Sequence, residues 1–159
     1  MPRITPPIFS ARRAFTLVEV VMVMLIMTFV GAMALPRWAN GTARYRVDLA
    51  AQRIVADLLY AQSRANYSST PVTLTFSTTS NSYQIVGLAD PDHPSATYTV
   101  NLATEPYRAV LSSAVFGNST AITFDGFGKP AAGGTVVLTV GTRQHTITVE
   151  ATSGKAVIQ

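Results

Sequence analysis

The chain changes character abruptly after its first fourteen residues. From Ala14 to Leu35 it reads AFTLVEVVMVMLIMTFVGAMAL, a run of 22 residues whose one charge is Glu19 and which Pro36 closes. Wound into a helix, the run is apolar on all sides and has no amphipathic stripe. About 20 residues at ~1.5 Å rise cross the ~30 Å hydrocarbon core of a bilayer. The run therefore predicts a membrane helix or an export signal in preference to a buried core helix.

Past Pro36 the pattern turns amphipathic. Val47, Ala50, Ala51, Ile54, Leu58, Ala61 and Ala65 recur at helical spacing, while Asp48, Gln52, Arg53, Ser63 and Arg64 fall largely on other faces. Arg44 with Asp48 and Arg53 with Asp57 stand four apart, where an exposed ion pair adds a few tenths of a kcal/mol. Pro36 and Gly41 allow a kink or local melting between the two halves. Trp38 suits a membrane–water interface as well as a packing role. One helix over 15–66 measures about 78 Å, too long for a globule of this size to bury. The alanine-rich stripe is narrow, and a sheet from the same chain is its natural cover.

From Ser68 onward the period drops to two. Pro71–Ser77, Ser82–Leu88, Thr97–Leu102, Arg108–Ser112, Thr120–Phe124, Gly134–Val140, Gln144–Glu150 and Lys155–Ile158 are the predicted strands. Gly141-Thr142-Arg143 is the predicted loop of a hairpin. The fold class is α+β: a long N-terminal helix, membrane-spanning in its first half, packed on a C-terminal antiparallel β-sheet or small β-sandwich. The predicted segments are 1–14 as a leader, 15–35 as a transmembrane helix, 36–67 as its amphipathic continuation and 68–159 as a β-rich head.

Composition sharpens this picture in two places. The 159 residues include no cysteine, which excludes disulfides, thiolate metal sites and a cysteine nucleophile. Of the net charge of +4, three units sit in the leader as Arg3, Arg12 and Arg13, so the body is close to neutral. Arg37, Arg44 and Arg46 follow the apolar run, so basic flanks alone nearly tie on orientation. Long domains translocate largely regardless of charge, which favours the leader inside and the head outside.

Three export signals compete for the N-terminus. Arg12-Arg13-Ala14-Phe15 resembles a twin-arginine signal, and Ala32-Met33-Ala34 offers a signal-peptidase site. Glu19 argues against both, because a carboxylate in the apolar run is costly and asks for a partner. The third reading supplies one. Ala14-Phe15-Thr16-Leu17-Val18-Glu19 resembles the N-terminal motif of type IV pilins and type II secretion pseudopilins. The resemblance implies cleavage by a prepilin peptidase between Ala14 and Phe15, N-methylation of Phe15, and a subunit-assembly role for Glu19. On that reading a neighbouring subunit's Phe15 amine is expected to pair with Glu19 when subunits stack. The family usually has glycine before the cut, and here Ala14 stands there. The stretch from Phe124-Asp125-Gly126-Phe127-Gly128-Lys129-Pro130 to Ser153-Gly154-Lys155-Ala156-Val157-Ile158 is similar to the C-terminal region of H-type minor pseudopilins and their FimT-like relatives. The resemblance implies a non-enzymatic minor subunit of a pseudopilus. It also implies a single pass through the bacterial inner membrane, with the C-terminal domain in the periplasm. Its implied partners are other pseudopilins or pilins, the peptidase and methyltransferase, the secretion platform and the bilayer.

A search for chemistry finds little else. Asp90 and Asp92 in Asp90-Pro91-Asp92-His93-Pro94 are oxygen donors of the kind calcium takes, but a solvated loop accounts for them. His145 alternates within a strand and is expected on the sheet surface. No nucleophile elbow or phosphate-binding loop occurs. No cofactor or metal is expected. Lys129, Arg143 and Lys155, offset by Asp125 and Glu150, are too few for strong phosphate-backbone binding. A FimT-like type IV minor pilin for pilus assembly or DNA uptake, and a singly anchored or secreted enzyme or binding domain, stand as alternatives.

Overall fold

The computed structural model describes residues 15–90 and 93–159, apart from the side chains of 33–40. The chain forms two compact units, residues 1–39 and 40–159. One helix, α1 (Leu17–Ser68), contributes to both, and its backbone remains helical through Pro36 and Gly41, so neither residue melts it. It ends where Ser69 takes a left-handed φ of +51° and Pro71 follows, a residue that cannot extend the hydrogen-bond ladder.

In the first unit the described side chains are bare. Every large apolar residue from Leu17 to Val30 is 43–80 % exposed. Among the described residues no helix is long and apolar enough to cross a membrane. The apolar run reaches beyond them, to Ala14 at one end and to the side chains of Met33, Ala34 and Leu35 at the other.

The second unit is built on the amphipathic half of α1. All seven stripe positions from Val47 to Ala65 are at most 1 % exposed. They are covered by two four-stranded antiparallel sheets. The first has the order β3 (Thr97–Asn101), β2 (Ser82–Ala89), β1 (Val72–Ser77), β5 (Ala121–Phe124). The second has the order β4 (Val110–Phe116), β6 (Gly134–Val140), β7 (Arg143–Val149), β8 (Ala156–Ile158). Alternation sends Val72, Leu74 and Phe76 of β1 inward. Phe76 joins the sheets, its ring 5.4 Å from that of Tyr83 and 5.5 Å from that of Phe116. Such aromatic contacts add to the area they bury.

Two predicted strands need correcting. The expected 108–112 strand is Val110–Phe116. A bulge between Leu111 and Ser113 shifts the buried set from Leu111 to Ala114 and Phe116, and this break in alternation hides the second half of the strand. Arg143 is not in the loop: it pairs with Val140 and opens β7. The turn is the two residues Gly141-Thr142, with φ of +58° at Gly141, a value the first position of a II′ hairpin requires. Gly134 has a different reason. A Cβ there would stand 2.1 Å from the Val115 carbonyl oxygen, so β4 and β6 approach as closely as they do only over glycine.

Candidate assembly interface

The N-terminus of α1 shows how the sequence organises its one acidic residue. Thr16 caps the helix: its Oγ1 accepts from the Glu19 amide at 3.3 Å, and its carbonyl accepts from Val20 at 3.2 Å. Threonine followed three residues later by glutamate, ahead of an apolar run, is the capping-box pattern. The Thr16-to-Glu19 spacing is the sequence signal for this cap, separate from the embedded charge and the assembly role expected of Glu19. Glu19 therefore stands in the first turn, where a carboxylate complements the helix dipole. Phe15 and Glu19 are both exposed within one turn of the start of α1. Ala14, the other side of the expected cut, lies outside the described residues, as do Pro36 and Trp38 as side chains.

The surface that follows, from Leu17 to Val30, is apolar apart from Glu19 and Thr28, and its large apolar side chains are uncovered among the described residues. Leaving so much hydrocarbon in water is unfavourable at about 25 cal/mol per Å2.

The head carries its polar chemistry where α1 meets the sheets. Asp57 is 6 % exposed. It accepts from the Tyr83 hydroxyl at 2.5 Å, from the Tyr98 hydroxyl at 3.1 Å and from Arg53 Nε at 3.1 Å. Arg53 also donates to the Tyr98 oxygen. Burial first, then Asp57, push the Tyr83 phenol far above its ordinary value, and the same causes raise Tyr98. Burial works against the Arg53 charge, but Asp57 and then Tyr98 outweigh it and hold the guanidinium protonated. The Arg53–Asp57 spacing was legible in the sequence, whereas the two tyrosines that complete the cluster were not. His145, expected on the sheet surface, instead bridges to the helix, its Nε2 2.5 Å from Asp48 Oδ1 and its Nδ1 3.2 Å from the Gln159 carbonyl.

Among the described residues no buried side-chain polar atom lacks a hydrogen-bond partner. Nor do three or more potential metal ligands gather among them. Asp92 lies outside the described residues, and Asp90 and His93 help close the β2–β3 connection through the Asp90–Ala96 and Ala96–His93 backbone bonds. Lys129 lies on the Asp125 turn, where Asp125 Oδ1 accepts from the Phe127 and Lys129 amides at 2.9 Å each. Arg143 opens β7, and Lys155 directly precedes β8.

The fold is similar to that of the type IV minor pilin FimU of Pseudomonas aeruginosa (strain PAO1), with a TM-score of 0.52 at 17 % sequence identity. The likeness covers 74 % of this chain and 91 % of that one. No curated protein matches the sequence. The profile of the family described as type II transport protein GspH matches residues 50–153, well over half of the chain. A helix with a buried alanine-rich stripe, two antiparallel sheets and a family match spanning both make the chain a member of the GspH family of pilin-like subunits.

Proposed function

We propose that the protein is a minor pseudopilin of a type II secretion system, a structural subunit with no catalytic role. The precursor is cut between Ala14 and Phe15 and methylated on Phe15. Residues 15–35 anchor it in the inner membrane, and the head stands in the periplasm. The observation that carries this reading is the apolar surface of α1 from Leu17 to Val30, uncovered among the described residues and interrupted by Glu19 and Thr28 alone. A rod of this kind suits lipid before assembly and neighbouring helices afterwards. In the filament the Phe15 amine of one subunit pairs with Glu19 of the next, so that neither charge remains alone in low dielectric.

Mass measurement of the mature chain tests processing. A mature N-terminus at Phe15 with an added methyl is the expected result, whereas a start at Leu35 means an ordinary signal peptide and refutes the proposal. Glu19→Ala is expected to insert normally but to lose co-purification with other subunits; unimpaired co-purification would falsify the pairing. A type IV minor pilin is the second reading, favoured by the likeness to FimU. Deleting the gene separates the two: loss of secreted proteins with pili intact supports secretion, and the reverse supports a pilus.

A further inference from the structure

The proposed function leaves unused a set of arginines that the fold gathers at one end of the head, the end where α1 enters it. Arg44 and Arg46 lie on that stretch of the helix. The Arg46 guanidinium stands 3.3 Å from Glu105, which also takes Arg108 at 2.7 Å. Val110 pairs with Thr139, so Arg108, two residues before Val110, belongs to the same end as the β6–β7 turn. Arg143 closes that turn opposite Val140, two residues before the His145 that reaches Asp48. The only other described acid there is Asp48, 3.9 Å from Arg44. Among the side chains there, four arginines against Asp48 and Glu105 leave two positive charges, with Arg44, Arg108 and Arg143 exposed. At the opposite end, Arg64, Lys129 and Lys155 are balanced by Asp90, Asp125 and Glu150.

We propose that this basic end is a collar for anionic phospholipid headgroups. The inference rests on the reading of residues 15–35 as the membrane anchor. Arg44 is nine residues beyond Leu35, at most about 14 Å along a helix, so the collar enters the head within reach of the headgroup layer. Guanidinium is suited to phosphate, which it binds through paired N–H groups. An anionic leaflet attracts each basic residue near its surface by a factor of about five in affinity, within a screening length of about 8–10 Å. Two net charges are too few for tight nucleic-acid binding. They are enough to hold an already anchored head against the bilayer until the subunit is taken into a filament.

The test uses the full chain in nanodiscs of phosphatidylcholine alone or mixed with phosphatidylglycerol, at low and high salt. The readout is amide hydrogen exchange. Phosphatidylglycerol is expected to slow exchange several-fold in residues 103–110 and 141–145, and high salt is expected to reverse the slowing. The R108Q/R143Q double variant is expected to abolish it while leaving exchange at Ile54 and Leu58 unchanged. Equal exchange in both lipids, or slowing that survives the double variant, overturns the collar but not the anchor. Slowing that appears only on adding an acidic partner protein assigns the arginines to that protein and also overturns it. A chain that stays in neither nanodisc overturns the anchor and the collar together.

Discussion

Asp57 shows how a single residue can be half legible. Its spacing from Arg53 predicts an ion pair, and an exposed pair at that spacing contributes a few tenths of a kcal/mol. The fold gives it more to do. Tyr83, on β2, is carried inward by strand alternation, and Tyr98 comes from the neighbouring strand, so three donors from two layers converge on one buried carboxylate. Contacts separated by 26 and 41 residues leave no periodic trace in the sequence. Asp57→Ala strands a buried phenol and a partly buried guanidinium. It is expected to cost about 3 kcal/mol, measured as a fall in the urea midpoint. Asp57→Asn keeps the shape and loses the charge, and should fall between the variant and the parent. A loss below about 0.5 kcal/mol for the alanine variant, the size of an exposed pair, would mean the cluster contributes no more than its surface counterpart.

At the scale of elements, regular burial was easy to read and irregular burial was not. The helix stripe was legible at all seven positions because each must face the sheets, and period 3.6 leaves no second solution. All eight strands were found, but the edges of β4 and β7 were misplaced. A bulge breaks the period of two in β4, and a two-residue turn in place of three adds Arg143 to β7. The glycines divide in the same way. Those at turns can be read from the sequence as sites of positive φ, as at Gly141, but Gly134 has no such φ and is required by its neighbour across the ladder. Gly134→Ala places a methyl 2.1 Å from the Val115 oxygen and 2.5 Å from Phe116 Cδ1. Neither a paired carbonyl nor a buried ring yields cheaply. The expected loss is about 2 kcal/mol or more, measured as the thermal midpoint of the chain in detergent. An unchanged midpoint would show that β4 can slide away from β6. The apolar end of α1 is equally plain in sequence, whereas the Thr16 cap that starts it is a local signal that the charge of Glu19 masks.

For the whole molecule, the joint between helix and sheets has a pH dependence whose sign follows from the two phenols. In the unfolded chain both ionise near pH 10. In the folded chain both keep their protons to higher pH, Tyr83 because burial and then Asp57 disfavour the phenolate, Tyr98 for the same reasons on a more exposed site. Below pH 10 neither state loses a phenolic proton, and the contribution of the cluster is complete. As pH rises through about 10 the unfolded chain releases protons that the folded one retains, so stability falls. The slope for the fully buried Tyr83 is about 1.4 kcal/mol per pH unit. Urea midpoints taken between about pH 8 and 11 are expected to be flat at first and then to decline. Tyr83→Phe lowers the midpoint throughout, since Asp57 loses its shortest hydrogen bond, but it makes the alkaline decline shallower because the group that must titrate is gone. The slope thus separates the protonation effect from simple loss of packing. A decline equally steep in parent and variant would place its origin outside this cluster.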